Sequence, residues 1–144
     1  EFELLPGVVD ACRLLKAAGY LLVVATNQPD VGRGTQRRET VEEMHCRLRE
    51  WLPLDDIRVC YDGGGEASGF LKPAPGMLLR AIAKFGIDPQ RSMLVGDKPS
   101  DIQAGRAAGV RWCCRVAAEG SGRGAADLLA PDLARCIDAF LALR

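Results

Sequence analysis

Short, mainly apolar runs alternate with segments of helical periodicity, and this alternation is the feature that most constrains the fold of the chain. The runs cover residues 20–25, 57–61, 92–95 and 111–116. The run 20–25 is apolar throughout and too short for a second helix, which is typical of a strand that is covered on both faces. The pattern therefore predicts buried parallel strands with helices packed against them.

The segments between the runs carry helical patterns and helix-ending residues. A first helix is predicted to open at Pro6 and Gly7 and to stop at Gly19, and further helices are predicted over residues 40–52, 77–85 and 100–108. Thr40 and Glu43 have the spacing of a capping box. Residues 127–129 are predicted to add a short edge strand. A last helix is indicated by an apolar stripe of Leu133, Cys136, Ile137, Phe140 and Leu141.

Strands and helices that alternate at this spacing are joined by right-handed crossovers. The order predicts a doubly wound, Rossmann-like α/β fold, a three-layer sandwich with a mainly parallel sheet. Residues 1–144 are predicted to form a single domain, because a chain of 144 residues with 48% hydrophobic residues can bury one substantial core. In such sheets, ligands bind beyond the carboxyl ends of the strands.

The overall charge argues against two classes of partner. Nineteen basic and nineteen acidic residues cancel, which removes the general attraction to nucleic acid or to an anionic membrane. No apolar run is long enough to span a bilayer, and the N-terminal residues lack the pattern of a signal peptide. We therefore expect a cytoplasmic monomer that binds neither nucleic acid nor a membrane.

The six cysteines lie mostly in apolar segments and are predicted to be reduced core thiols.

Polar residues follow two of the predicted strands, and a lysine precedes a predicted helix. Thr26 and Asn27 come directly after the run 20–25, where a hydroxyl, an amide and backbone N–H groups suit a phosphate oxygen. A simple polar turn would contain the same residues. Lys72 is followed by Pro73 and Pro75, and its ammonium group could stabilise a phosphoryl group. The alternative for Lys72 is an ordinary solvated lysine.

Two carboxylates follow the third predicted strand. Asp97 stands at the strand end and Asp101 enters the next helix, so the two could share a hard divalent cation. Asp101 could instead be a first-turn carboxylate that the helix dipole favours. For Asp97 the structural alternative is weaker, since an acid at the rim of a buried sheet needs a partner.

The order of these motifs resembles a known family. Thr26-Asn27, then Lys72-Pro73, then Gly96-Asp97-x-x-x-Asp101 resemble motifs two, three and four of haloacid dehalogenase (HAD) superfamily phosphatases. The stretches 4–8, 26–34 and 72–78 are similar to subgroup IIIA, which contains heptose 1,7-bisphosphate phosphatases and histidinol-phosphatases. The resemblance implies a HAD-like fold and a Mg²⁺-dependent phosphomonoester hydrolase that acts through a phosphoaspartate. A small phosphorylated metabolite, such as the sugar phosphate heptose 1,7-bisphosphate, is the implied substrate.

The resemblance also implies a role for each matching residue. Thr26 would bind the transferring phosphoryl group, with Asn27 beside it, and Lys72 would bridge that group and the nucleophile. Asp97 would ligate magnesium and Asp101 would support the site. Arg33 is a further candidate for contacting the substrate, although it could equally be a solvated cation.

The chain departs from the family pattern in three places. The Asp-x-Asp motif that carries the nucleophile and the general acid is expected upstream of Glu1, on a first strand that is missing here, so the domain is predicted to be truncated at its N-terminus. Relatives often bind zinc in the loop before the lysine, but only Cys60 matches such a ligand here. We therefore expect no zinc site. Leu71 replaces an arginine that helps to select the substrate in the family.

Two other functions are compatible with the same motifs. A non-catalytic HAD-like module would keep the fold but lack the nucleophile, and an Asp-x-Asp upstream of Glu1 would argue against it. A phosphatase acting on nucleic-acid 3′ ends would share the Thr-Asn-Gln loop, but the neutral charge of the chain disfavours it.

Overall fold

The structure, a computed structural model, describes residues 7–61, 69–118 and 120–143. Its elements in chain order are α1 (Val8–Ala17), β1 (Val23–Asn27), α2 (Pro29–Gly32), α3 (Arg38–Trp51), β2 (Asp56–Cys60), α4 (Gly76–Phe85), a 3₁₀ turn (Pro89–Arg91), β3 (Met93–Gly96), α5 (Pro99–Ala107), β4 (Trp112–Val116), β5 (Leu128–Ala130) and α6 (Leu133–Leu143).

Every pair of strands in the described residues is parallel. β1 pairs with β2, with Asn27 opposite Cys60, and the order of the other sheet is β3-β4-β5, with Gly96 opposite Arg115. The predicted α/β class with parallel strands is confirmed. The described strands fall into two sheets, and no described strand joins β1 to β3.

Helices cover both faces of the strands. On one face, Ile102 of α5 packs against Cys113 of β4, and α4 adds Leu78 and Ile82 to this cluster. On the other face, α1 and α6 pack together through a cluster of Ala11, Leu15, Ile137 and Phe140. That second cluster also contains Leu22, next to β1, and Met93 of β3, so one helical layer holds both sheets together. Among the described helices, none is long and apolar enough to cross a membrane.

The predicted capping box of the helix after β1 is wrong. The helix α3 begins at Arg38, and its N-cap residue Arg37 makes no capping hydrogen bond through its side chain. Thr40 therefore lies inside the first turn, where its spacing to Glu43 carries no capping role. The short helix α2 precedes it.

The cysteines also differ from the prediction. The sulfur atoms of Cys114 on β4 and Cys136 on α6 form a disulfide in the fully buried layer between these elements. The prediction of a reduced thiol is therefore wrong for this pair. Cys12, Cys46, Cys60 and Cys113 are free, and burial raises the pKa of the Cys113 thiol.

The stability of the β4–β5 region is expected to depend on pH through Asp127. Its carboxylate accepts hydrogen bonds from the backbone N–H of Cys113 (2.8 Å) and from Arg106 (2.9 Å). Burial opposes ionisation, but these two donors outweigh it and lower the pKa of Asp127. A carboxylate whose pKa is lower in the folded state adds stability above its unfolded pKa, and this stability is lost as the pH falls through the folded pKa.

We therefore expect the free energy of unfolding to fall below about pH 4 in the parent protein. The fall should be smaller in Asp127→Asn, and Arg106→Gln should reduce it in the same way because it removes one of the two donors. Urea unfolding at pH 7 and at pH 3.5 measures the difference. Parallel pH profiles for the parent and Asp127→Asn would contradict this assignment.

Candidate active site

Reciprocal hydrogen bonds join the last residue of β1 to the segment before α4. The backbone N–H of Lys72 donates to Asn27 Oδ1 (3.1 Å), and Asn27 Nδ2 donates to the carbonyl oxygen of Lys72 (3.3 Å). The two residues are 45 positions apart in the sequence. Asn27 therefore fixes the backbone of Lys72 beside the carboxyl end of β1.

The side chain of Lys72 returns toward the sheet. Its Nζ donates to the carbonyl oxygen of Ala25 on β1 (3.0 Å) and to Asp101 Oδ1 at the start of α5. The side chains of Lys72 and Asp101 are only 13% and 9% exposed. Because a shielded ion pair is screened less by water than a surface pair, this contact holds the ammonium group firmly in one place. It also connects β1 with α5, which belong to the two different sheet regions.

Asp101 owes its position to the way in which α5 begins. Pro99 occupies the first turn of the helix, where a missing N–H costs nothing. Asp101 lies at the third helical position, and its Oδ2 accepts from the backbone N–H of Lys98 (3.1 Å). This is the return half of a capping box, and a carboxylate here is also favoured by the helix dipole. The same carboxylate thus caps the helix with one oxygen and holds Lys72 with the other.

Gly96, which the sequence showed only as part of a motif, has a steric role in the site that was not predicted. It ends β3, and a Cβ atom built on it would overlap the side chain of Asp101, including Oδ2. The absence of a side chain at Gly96 is therefore what allows the Asp101 carboxylate to lie against the end of the strand. A glycine between an apolar strand and Asp97 was visible in the sequence, but the residue that uses the space could not be known from it.

Substituting Gly96 with alanine should displace Asp101 and loosen Lys72. Forcing a methyl group into a filled space costs typically about 1–3 kcal/mol, so we expect a fall of that size in the free energy of unfolding and a loss of activity in the full-length protein. Gly122→Ala is a matched control, since a Cβ there meets no atom within 4 Å. Equal urea midpoints for the Gly96→Ala and Gly122→Ala variants would contradict the packing role of Gly96.

The loop after β1 is organised by its own polar residues. Gln28 Nε2 donates to Thr26 Oγ1 (3.1 Å), and the backbone N–H of Gln28 donates to the carbonyl oxygen of Cys60 (2.8 Å). Thr26 is thus held beside Asn27 at the end of β1. Arg33 lies further along, about half exposed, with its guanidinium group 3.6 Å from Asp30.

Asp97 directly follows β3 and is exposed. It is the next residue along from Gly96, so its carboxyl group is carried at the same strand end that Asp101 contacts. A Mg²⁺ ion keeps several water ligands and needs only one or two protein carboxylates in addition to a substrate phosphate. An exposed oxygen donor at this position suits such a hard cation. The oxygens of Asp101, in contrast, already accept hydrogen bonds from Lys72 and Lys98.

The structure tests the other expected features only in part. In the ranges described above, no three His, Cys, Asp or Glu side chains come together as a metal-binding group. Most of the segment in which relatives bind zinc, residues 62–68, lies outside the described residues, so the expected lack of a zinc site stays a prediction. The Asp-x-Asp motif was expected upstream of Glu1, so it stays a prediction.

Comparisons with known proteins agree with this arrangement. A family profile described as hydrolase, haloacid dehalogenase-like hydrolase, matches residues 1–109. The chain therefore belongs to the haloacid dehalogenase-like hydrolases, and the predicted family is confirmed.

Three relatives define the similarity more closely. The chain is 38% identical to D-glycero-beta-D-manno-heptose-1,7-bisphosphate 7-phosphatase of Pasteurella multocida, over 77% of this chain and 66% of the relative. It is 40% identical to the corresponding alpha-heptose enzyme of Burkholderia mallei, over 76% and 65%. The crystal structure of D,D-heptose 1,7-bisphosphate phosphatase from B. bronchiseptica, complexed with magnesium and phosphate, superposes with a TM-score of 0.84 at 27% identity, over 97% of this chain and 84% of that one.

The aligned part of the chain spans about two thirds of the length of these two sequence relatives. The family and the fold are thus shared with heptose bisphosphate phosphatases.

Proposed function

We propose that this chain is the greater part of a magnesium-dependent phosphomonoester hydrolase that acts on a sugar phosphate of the heptose 1,7-bisphosphate class. The observation that carries the proposal is the contact of Lys72 with both Asn27 and Asp101, which joins three separate motifs at one end of the strands. A shielded ammonium group at the strand end that carries a hydroxyl and an amide is suited to receive a phosphoryl group. We further propose that the protein is a cytoplasmic monomer.

The phosphoryl group would be bound by donors that are already in position. Thr26 would donate its hydroxyl hydrogen to one oxygen, with Asn27 keeping the neighbouring backbone in place. Lys72 would place its positive charge beside the oxygens on which negative charge builds up in the transition state. Groups that are fixed before the reaction need no reorganisation during it, and this makes them effective catalysts.

The metal ligand contributed by this chain would be Asp97. A bound magnesium ion would supply Lewis-acid stabilisation of the phosphate charge. Asp101 would act on the site mainly by holding Lys72 and the start of α5, with support of the metal site as a second role. Arg33 would be a peripheral contact to the substrate.

The nucleophile would be an aspartate of the Asp-x-Asp motif upstream of Glu1. Its carboxylate would form a bond to phosphorus while the bond from phosphorus to the sugar oxygen breaks, and the second aspartate would give that oxygen its proton. Water, losing its proton to the same second aspartate, would then cleave the aspartyl phosphate and release inorganic phosphate. Each step conserves charge and protons without any further reactant.

Phosphate release by the full-length protein tests the proposal. The expected result is hydrolysis of heptose 1,7-bisphosphate that stops with a chelator and returns with added Mg²⁺, together with a protein-bound phosphate that hydroxylamine releases. Absence of turnover with a panel of sugar phosphates and with p-nitrophenyl phosphate would favour a non-catalytic module instead.

A further inference from the structure

A second cationic group is held beside the loop that follows β1. The guanidinium carbon of Arg38 lies 4.2 Å from the centroid of the Tyr61 ring, and its Nε donates to Glu42 Oε1 (3.0 Å). Arg38 is the first residue of α3 and Tyr61 directly follows β2. We refer to Arg38, Tyr61 and Glu42 as the Arg38 cluster. Glu42 contacts Arg38 from within α3 and Tyr61 contacts it from the end of β2, so the guanidinium group has a partner on each side.

The cluster lies at the same end of the strands as Thr26. Tyr61 directly follows Cys60, and Cys60 lies opposite Asn27 in the β1–β2 pair. The carbonyl oxygen of Cys60 accepts a hydrogen bond from the backbone N–H of Gln28. Neighbouring strands are about 4.8 Å apart and advance about 3.3 Å per residue, so the backbone of Tyr61 lies roughly 6 Å from that of Asn27. A substrate whose scissile phosphate is bound at Thr26 and Lys72 can therefore extend toward Arg38.

The chemistry of Arg38 suits a second anionic group. Its side chain is 60% exposed, which leaves it accessible to a ligand. A guanidinium group carries five N–H donors in a planar fork that matches phosphate oxygens, and the bond to Glu42 uses only Nε. Stacking on Tyr61 restricts the side chain before the ligand arrives, so less conformational entropy is lost on binding. The neighbouring Arg37 differs in this respect, since its side chain is 81% exposed and it lies 3.8 Å from Glu39.

We propose that Arg38 determines substrate selectivity by binding the phosphate that is not hydrolysed, so that the preferred substrate is a sugar bisphosphate rather than a monophosphate. This inference rests on the proposed function and deepens it. Leu71, adjacent to Lys72, offers no charge for this purpose, whereas Arg38 stacks on Tyr61 at the same end of the strands as Thr26. Glu42 and Tyr61 act as positioning residues for the guanidinium group.

The test compares two substrates of the full-length protein, heptose 1,7-bisphosphate and heptose 7-phosphate. The quantity measured is the ratio of kcat/KM for the bisphosphate to kcat/KM for the monophosphate. We expect this ratio to fall about tenfold in Arg38→Gln, mainly through KM, because one charge-assisted contact is lost. Arg37→Gln, the adjacent exposed control, should keep the parental ratio. Tyr61→Leu should lower the ratio by a smaller factor, because the charge remains but is less well placed.

Each outcome decides a separate point. A parental ratio in Arg38→Gln, or an equal fall in Arg37→Gln, would overturn the role of Arg38. Equal loss of kcat/KM for both substrates, with circular dichroism and thermal midpoint unchanged, would also overturn it, because selectivity would be unaltered. If the parent hydrolyses p-nitrophenyl phosphate but does not distinguish the two heptose phosphates, the selectivity proposal fails while the phosphatase function stands. If the parent hydrolyses none of them, the proposed function itself fails.

Discussion

Replacing Lys72 with methionine is expected to lower kcat of the full-length protein by about 10²- to 10³-fold, the size typical of losing one donor to the developing negative charge of a transition state. Methionine keeps most of the length of the side chain and removes its charge. Since the ammonium group is needed most when the phosphoryl oxygens are most negative, KM should change much less than kcat. Steady-state rates at saturating substrate measure the effect.

A control is required because Lys72 also holds Asp101. Lys84→Met on α4 removes a lysine charge that lies 5.2 Å from the centroid of the Phe85 ring, and it should leave kcat at the parental value. Asp101 loses its cation in Lys72→Met but keeps the backbone N–H of Lys98, so α5 should still begin at the same residue. A kcat for Lys72→Met within threefold of the parent would show that the ammonium group takes no part in the reaction.

The second large effect is expected from Asp97→Asn, which should reduce magnesium-dependent turnover by about 10³-fold or more, because a metal ligand supports several kcal/mol of transition-state stabilisation. Asparagine has nearly the same shape, and Asp97 is exposed, so the fold should be retained. Activity should recover partly at high Mg²⁺ if the change weakens metal binding. The measurement is turnover as a function of Mg²⁺ concentration.

Asp88→Asn is not a suitable control for that experiment, because Asp88 accepts a hydrogen bond from the backbone N–H of Gln90 in the 3₁₀ turn. Asp10→Asn is preferable, since Asp10 is exposed on the first turn of α1. A Mg²⁺ dependence of Asp97→Asn that coincides with that of the parent would remove Asp97 from the metal site.

The sequence predicted which helices and strands are present better than it predicted where they begin and end. The apolar run at 20–25 predicted a strand there, whereas β1 covers Val23–Asn27. The reason is that Tyr20 and Leu22 pack into the core before the strand begins, Tyr20 by an edge contact with Phe140 at 5.2 Å. Thr26 and Asn27 stay in the strand because their backbones pair with β2 regardless of the polarity of their side chains. Apolar periodicity reports burial, and burial and strand pairing need not begin at the same residue.

The sequence also predicted the residues of the site better than the contacts between them. The order of the motifs could be recognised along the chain, but the partner of Asp101 could not. Its carboxylate suggested a metal or a helix dipole, and in the structure it accepts from Lys72, 29 positions away. The space at Gly96 and the stacking of Arg38 on Tyr61 also depend on distant residues meeting. Contacts of this kind are products of the tertiary fold and leave no local pattern in the sequence.

The ion pair between Lys72 and Asp101 has a consequence for release as well as for binding. An ammonium group that is already neutralised by a permanent carboxylate attracts an incoming dianion less strongly than a bare cation would, since the two anions compete for one charge. Under the proposed function, inorganic phosphate would then be retained less tightly after hydrolysis, and the site would empty for the next cycle. Asp101 would thus compete with inorganic phosphate for the Lys72 ammonium group and limit product inhibition.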